Sequence, residues 1–314
     1  MHSHSHFLAP GQAVQPGYAL LASFWALGTV LVLITIKAYA YWQSGSASVL
    51  ATLMDSFMDG GVSLAMLLAI RLSLKPADKD HRHGHGKAEA LAALFQSAFL
   101  AGGGCFLAFE SLNRFFEPRV LEHHMIGIGV SAAAILLTLI LVGVQKFCLK
   151  KAPSLAIEAD HAHYRTDIFL NSSVMLALFA DYQGWASWID PVTALLVAGS
   201  FGAASFKIGK SATDMLMDKE LPDAVRERIR EIAKRHDDVL GLHDLRTRRS
   251  GMVLYLSMDI EIDPEFTLKE AHAVALALER DIMADYPHAE IMIHMDPYGI
   301  PHKESRHNVK GVHH

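Results

Sequence analysis

Cysteine is nearly missing from this chain: 314 residues hold two, Cys105 and Cys148. Two cysteines cannot supply a disulfide framework. Both stand in or beside apolar runs, so each is expected to be a small buried hydrophobe. Charge is scarce as well, at 19% Asp, Glu, Lys and Arg against 51% hydrophobic residues, where a soluble domain carries about 25% charged residues. That excludes a disordered chain and argues against a fully soluble globule. Positive charge is not in excess, since the formal net charge is −5. A nucleic-acid binder would need a basic face, so no nucleic-acid partner is expected. No Lys or Arg precedes the first apolar run, so the positive n-region of a cleaved signal peptide is missing. What the chain has instead is histidine, 19 of them against 28 Lys and Arg. Histidine is the commonest metal ligand, and the composition therefore points towards metal.

The charge-free stretches define a membrane domain. Met1–Ile36, Ala38–Met54, Gly60–Ile70, Ala90–Phe109, Met125–Gln145, Ile168–Ala180 and Pro191–Phe206 contain no Asp, Glu, Lys or Arg. A membrane-spanning helix needs about 20 mostly apolar residues. The pattern predicts six spans, near 18–41, 47–72, 89–113, 124–147, 162–182 and 188–210. Orientation follows from the short loops. Arg71, Lys75, Lys79, Arg82, Lys87, Lys146, Lys150, Lys151, Arg165, Lys207, Lys210 and Lys219 fall on one side, and only Arg114 and Arg119 on the other. Both termini are thus expected to be cytoplasmic.

Beyond the last span the texture changes. Residues 219–300 carry 11 Lys and Arg against 17 Asp and Glu, an acidic soluble domain. Pro222 opens an amphipathic helix with Val225, Ile229, Ile232 and Ala233 on one side. Leu240–Arg249 and Met252–Ile262 read as strands joined across Ser250 and Gly251. In the second, Leu254, Leu256, Met258 and Ile260 share one face, and Tyr255, Ser257 and Asp259 the other. Leu268–Tyr286 reads as a helix and Ala289–His294 as a strand. The order is αββαβ, a small α+β domain. The expected division is an N-terminal tail over 1–17 with His2, His4 and His6, a six-helix transport domain over 18–212, a metal-binding domain over 213–300 and a histidine-rich tail over 301–314.

Carboxylates inside a span need a reason, because a central Asp costs roughly 2.5–3.5 kcal/mol on insertion scales. Asp55 and Asp59 lie in span two, four residues apart and so on one helix face. Asp55 is nine residues past Ser46, about 14 Å deep at about 1.5 Å per residue. His163 and Asp167 repeat the spacing in span five, which runs the opposite way. Side by side, the two helices offer three carboxylates and one imidazole in two layers. Four O/N ligands suit tetrahedral Zn²⁺ and similar divalent ions, and without a thiolate nothing marks the set for Cu⁺. Such ligands bind metal only when deprotonated, so metal and protons compete for them.

Two further groups stand out. Asp78, His81 and His85 lie between spans two and three and can converge on one ion, with Gly84 and Gly86 favouring a tight turn; the alternative is a solvated loop. His243, Asp259, His272, His294 and Asp296 sit in the soluble domain. Singly each is an ordinary polar residue, but together they can build a two-metal site with a bridging group. His236 and His288 read as surface residues.

Six motifs carry a resemblance: Ser44-Gly-Ser-Ala-Ser48, Asp55-Ser-Phe-Met-Asp59, Gly84-His-Gly-Lys-Ala-Glu89, His163-Tyr-Arg-Thr-Asp167, Gly241-Leu-His-Asp-Leu-Arg-Thr-Arg248 and Ile293-His-Met-Asp-Pro297. On these the chain resembles the cation diffusion facilitator family, and within it the bacterial zinc/iron efflux pumps, from about residue 18 to 298. The resemblance implies a homodimer with six spans per subunit and a cytoplasmic domain of metallochaperone-like fold. It implies a transport site at Asp55, Asp59, His163 and Asp167, and a loop site at Asp78, His81 and His85. It implies a binuclear site at the dimer interface from His243, His272, His294 and Asp296, and a charged interlock between Lys87 and Asp218. One position departs: where pumps of this type have a histidine bridging the two cytoplasmic metals, this chain has Asp259. A carboxylate can also bridge, with a harder, more oxygen-rich character.

The expected function is proton-coupled export of Zn²⁺ across the inner membrane, with Cd²⁺ and Fe²⁺ as further substrates and Zn²⁺ also held structurally. Mn²⁺ is compatible with the ligand set. A metallohydrolase would show a motif such as His-Glu-x-x-His, which is missing. An ATP-driven pump would need a loop glycine where Ala204 stands before Gly209-Lys210-Ser211. A membrane-bound metal sensor or scaffold without transport is the alternative, and the pairs buried in spans two and five speak against it.

Overall fold

The computed structural model describes residues 14–44, 47–116, 124–183 and 189–299. Eight helices and three strands follow in the order α1 (Gly17–Ser44), α2 (Ala47–Ser73), α3 (Ala88–Phe116), α4 (His124–Leu149), α5 (Leu155–Tyr182), α6 (Ile189–Leu216), α7 (Asp223–Ala233), β1 (Gly241–Ser250), β2 (Val253–Ile262), α8 (Leu268–Asp285) and β3 (Ala289–Pro297). The residues form two compact units that divide between Lys219 and Glu220. Sequence reading put this boundary near 213. It falls later because α6 stays helical as far as Leu216. The histidine-bearing tails lie outside the described residues.

The first unit is a bundle of α1–α6. Five of its helices, all but α5, are long and apolar enough to cross a membrane. The shortest of the six has 26 residues, about 39 Å at about 1.5 Å per residue, which exceeds the roughly 30 Å hydrocarbon core. α5 has 28 residues but carries Glu158, Asp160, His161, His163, Arg165 and Asp167. It packs against α2, α3, α4 and α6, so its polar groups need not face lipid. Trp42, Phe106, Leu196 and Phe206 point outwards and are largely exposed, an arrangement suited to an apolar solvent. Cys148 is buried, whereas Cys105 is exposed. The expectation of two buried cysteines fails at Cys105 because in a membrane bundle an apolar run reports lipid as well as core.

Small residues set the closest helix approach. On α3, a Cβ added to Gly104 would stand 3.0 Å from Phe201 Cβ and 3.3 Å from the Ala198 carbonyl, both on α6. Nearer the other end, a Cβ at Gly209 would lie 3.1 Å from Ser97 Oγ. Small residues let membrane helices draw together and dispersion act at short range. The Ser205 hydroxyl also donates to the Ser97 carbonyl at 2.7 Å.

In the second unit, three strands form one sheet in the order β1-β2-β3, with β2 and β3 parallel. Strands β1 and β2 are joined by Gly251 and Met252. Gly251 has φ 60°, the left-handed conformation that a II′ hairpin needs at its first central position. Leu256, Met258, Ile260 and Ile262 are buried from β2, together with Ile229 and Ile232 of α7 and Leu278 and Ile282 of α8. Each such side chain contributes about 1.5–3 kcal/mol of burial. Thr267 starts α8 with a capping box shared with Glu270. The guanidinium of Arg228 ties α7 to Asp285 at 2.7 Å. His236, expected at the surface, is half-buried and faces Asp281 at 3.1 Å. The chain enters this unit through Glu220, whose carboxylate accepts from the backbone N–H and the hydroxyl of Thr247.

The α3/α6 approach makes a direct prediction. Gly104→Val overpacks the contact at a cost of about 1–3 kcal/mol, so the detergent-solubilised variant should melt below wild type. Gly102→Ala, whose added Cβ meets nothing within 4 Å, should melt with wild type. Equal melting of Gly104→Val and wild type would remove the close approach as a determinant of stability.

Candidate metal centres

Three groups of ligand-type residues converge among the described residues, each with one ligand atom per residue inside a 4.8 Å radius of the others: Asp59, His163 and Asp167; Asp78, His81 and His85; and His243, Asp259 and Asp296.

The first group lies between α2 and α5. His163 Nε2 stands 3.0 Å from Asp59 Oδ1 and 3.5 Å from Asp167 Oδ2. The imidazole is nearly sealed, at 5% exposure. Its ring packs edge-on against Phe99 of α3 and Tyr164. Tyr164 in turn shares a 2.7 Å hydrogen bond with Ser63, one turn beyond Asp59 on α2. Two contacts thus hold α5 to one face of α2. Asp55 is the exception to the sequence reading. It lies one turn before Asp59, is exposed, and is not among the three groups that converge. The i, i+4 spacing put both carboxylates on one face but could not say that only one would meet the imidazole.

Sequence reading also passed over Lys37. This lysine of α1 is only 6% exposed. Its ammonium donates to the Thr52 carbonyl at 2.9 Å and to the Ser56 hydroxyl at 2.7 Å. Thr52, Ser56 and Asp59 repeat at three and four residues, so the bonded ammonium sits on the Asp59 side of α2. The signal was there to be used, since Lys37 is the single charge between Met1 and Met54.

The second group occupies the α2–α3 loop. Asp78 Oδ1 lies 3.3 Å from His81 Nδ1, and its Oδ2 lies 3.3 Å from His85 Nε2. Backbone N–H groups of Asp80 and His81 donate to Asp78 Oδ1. Gly84, with φ 73°, supplies the left-handed turn that brings His85 back. Lys75 Nζ holds Asp78 Oδ2 at 2.9 Å. This hydrogen bond, followed by those from the loop backbone, keeps the Asp78 carboxyl well below the usual carboxylate range. A depressed folded value contributes stability above the ordinary carboxylate pKa, lost only as pH falls through the folded one. Just past the loop, Lys87 Nζ meets Asp218 Oδ1 at 2.9 Å within one chain, and Asp218 adopts a left-handed φ of 54°.

The third group lies on the face of the sheet opposite the buried side chains of β2. Asp259 pairs in register with His294, and Glu261 with Asp296, so β2 and β3 present four ligand-type residues side by side. His243 of β1 lies 3.9 Å from Asp259, 3.7 Å from Glu261 and 3.6 Å from Asp296. His294 Nε2 is 3.2 Å from Asp296 Oδ1. Glu261 was missed by the sequence reading, although its period-two spacing from Asp259 gives it the same face. His272 is exposed on α8 and does not join the group within one chain. Helix α8 packs its Ala271, Ala275, Leu278 and Ile282 inwards, and His272 lies off that stripe.

Comparison with known proteins agrees with this architecture. Residues 23–217 match the family model described as the cation efflux transmembrane domain, and residues 221–298 the one described as the cation efflux protein cytoplasmic domain. The chain belongs to the cation efflux family, a family of transporters and not of enzymes. It is 45% identical over 277 residues to the cation-efflux pump FieF of Shewanella oneidensis, covering 88% of this chain and 93% of that one. With the cation-efflux pump FieF of Salmonella arizonae it shares 38% identity over 283 residues, covering 90% and 94%. Among solved structures, the metal-bound C-terminal domain of the CzcD transporter from Thermotoga maritima matches at 26% identity and a TM-score of 0.24, covering 25% of this chain and 92% of that one.

The loop yields a prediction. A metal ion at Asp78 competes with Lys75 for the carboxylate, and an exposed pair of this kind holds it only weakly. Lys75→Gln should therefore tighten zinc binding by up to about fivefold in a titration of the purified protein, and His85→Ala should cancel the gain. Unchanged or weaker binding in Lys75→Gln would contradict a metal role for this loop.

Proposed function

We propose that the chain exports divalent transition-metal cations from the cytoplasm in exchange for protons, with Zn²⁺ as the principal substrate and Cd²⁺ and Fe²⁺ as further ones. The observation that carries this reading is the Asp59, His163 and Asp167 cluster, where His163 Nε2 stands 3.0 Å and 3.5 Å from the two carboxylates between helices of a membrane bundle. Asp55, one turn away, is the fourth ligand, brought in when a cation neutralises the set. Two or three carboxylates with one imidazole make a borderline-hard site that suits Zn²⁺. The FieF pumps of similar sequence support efflux as the direction of transport.

The same ligands account for coupling. A carboxylate or imidazole must lose its proton before it binds metal, so loading expels protons and protonation expels metal. When such a site opens to each side in turn, the competition becomes antiport. In the proposed orientation the α2–α3 loop, both termini and the second unit face the cytoplasm, as the Lys and Arg distribution requires, and the membrane is the bacterial inner membrane. The working unit is a homodimer joined through the second unit. There His243, Asp259, Glu261, His294 and Asp296, with His272 contributed across the dimer, hold zinc that stabilises the assembly or reports metal load. The Asp78, His81 and His85 loop is a further binding place, and the Lys87–Asp218 pair is the interlock.

Flux into proteoliposomes tests this. With a zinc dye trapped inside, zinc entry should saturate and respond to a pH gradient. Asp55→Ala, Asp59→Ala and Asp167→Ala should each reduce it to under about a tenth, a ligand loss exceeding the roughly 10–100-fold cost of losing an outer partner, in protein that still folds. Wild-type flux in Asp55→Ala would reduce the site to the three residues that converge. Metal binding without flux of any ion would replace the pump by a sensor.

A further inference from the structure

His163 uses one nitrogen on the proposed site. Nε2 faces Asp59 and Asp167. The other nitrogen, Nδ1, therefore points away from them, into the bundle, where it is buried without a hydrogen-bond partner among the described residues. One turn earlier on the same helix, Asp160 is also sealed, at 4% exposure. Its Oδ2 accepts from Gln145 Nε2 of α4 at 2.7 Å, while Oδ1 is buried and unpartnered, as is Gln145 Oε1. Gln96 of α3 adds two more buried polar atoms without partners. It lies between Glu89, which binds Ser154 and Leu155 at the start of α5, and Phe99, which touches His163. That brackets it at the level of Asp160. A carboxylate on α5, an amide on α4 bonded to it, and an amide at the same level of α3 thus leave buried polar atoms without partners one turn from the imidazole.

Buried polar groups in folded proteins are nearly always satisfied, and those that are not call for an explanation. A metal-ligating histidine almost always donates its second N–H to a carboxylate, a carbonyl or water, which fixes the tautomer and the ring plane. Asp160 is the carboxylate on the right side of the ring, residues three apart on a helix being neighbours. We propose that Asp160, anchored by Gln145, is the positioning residue of His163: it accepts from Nδ1–H, directly or through a water, and so commits Nε2 to the metal. This rests on the transport-site reading and extends it to a residue that touches no metal.

The test is zinc flux by the full-length protein in proteoliposomes, with KM and kcat separated. Asp160→Asn keeps one acceptor oxygen and the size of the side chain but removes the charge. It should raise the zinc KM about 10–100-fold, the range found for outer partners of metal ligands, and Asp160→Glu should recover part of the loss. Gln145→Leu frees the carboxylate from its anchor and should raise KM in the same direction by less. A purely structural role would lower the melting temperature and leave KM unmoved, and that result in both variants overturns the proposal. Should Asp160→Asn fail to fold, Gln145→Leu decides; failure of both to fold makes the set structural and overturns it too. His163→Gln separates the two readings. Lost flux in His163→Gln with normal KM in Asp160→Asn removes the positioning role alone, whereas normal flux in His163→Gln removes the transport site itself.

Discussion

The contact between His163 of α5 and Asp59 of α2, at 3.0 Å, is the constraint around which the bundle is organised. Ionisable groups in a bilayer are costly unless they meet one another. This pair meets across two helices distant in sequence, and the meeting dictates the faces that α2 and α5 turn to each other. Tyr164 and Ser63 repeat the constraint one turn on, and Lys37 adds a buried cation bonded to α2. α5 is the helix that fails a simple hydropathy criterion. It fails because it carries Glu158, Asp160, His163, Arg165 and Asp167, and it can be tolerated because α2, α3, α4 and α6 surround it.

The physical consequence is a site whose charge is adjustable. Asp59 and Asp167 flank one imidazole, and Asp55 stands a turn away. Protons on these groups, or a divalent cation among them, neutralise the excess negative charge. In the proposed exchange, either occupant removes the reason for the other. The second unit repeats the chemistry in water: its carboxylates and histidines line one face of a sheet whose other face is an ordinary aliphatic core. Asp259, Glu261 and Asp296 make that cluster oxygen-rich.

Much of this was legible in the sequence. Six helices follow from charge-free stretches of bilayer length, and the αββαβ order from changes in hydrophobic period. The pairs Asp55/Asp59 and His163/Asp167 stand out because four-residue spacing is a helical neighbour relation. Other features were not legible, for identifiable reasons. Spacing fixes a face but not how far each carboxylate reaches, so it does not separate Asp59, which meets the imidazole, from Asp55, one turn away. An apolar run does not distinguish lipid from core, so it points to a buried Cys105 where the structure has an exposed one. His272 lies on α8 and is not in the cluster within one chain, and spacing in one chain says nothing of a second copy. Asp160 and Gln145 are bonded across helices, which one-dimensional spacing cannot reveal, whereas Lys37, a lone charge in an apolar run, and Glu261, alternating with Asp259, are both legible.

The central claim is that metal and protons compete for the Asp59, His163 and Asp167 cluster, and proton release on binding measures it most directly. Purified protein in weakly buffered solution would be titrated with zinc, and the protons released per zinc bound would be recorded with wild type and with His163→Gln. The account predicts release that diminishes as pH rises, because fewer ligand protons remain to be expelled, and a smaller release in His163→Gln. Zinc binding with no proton release at any pH, or release identical in the two proteins, would contradict it.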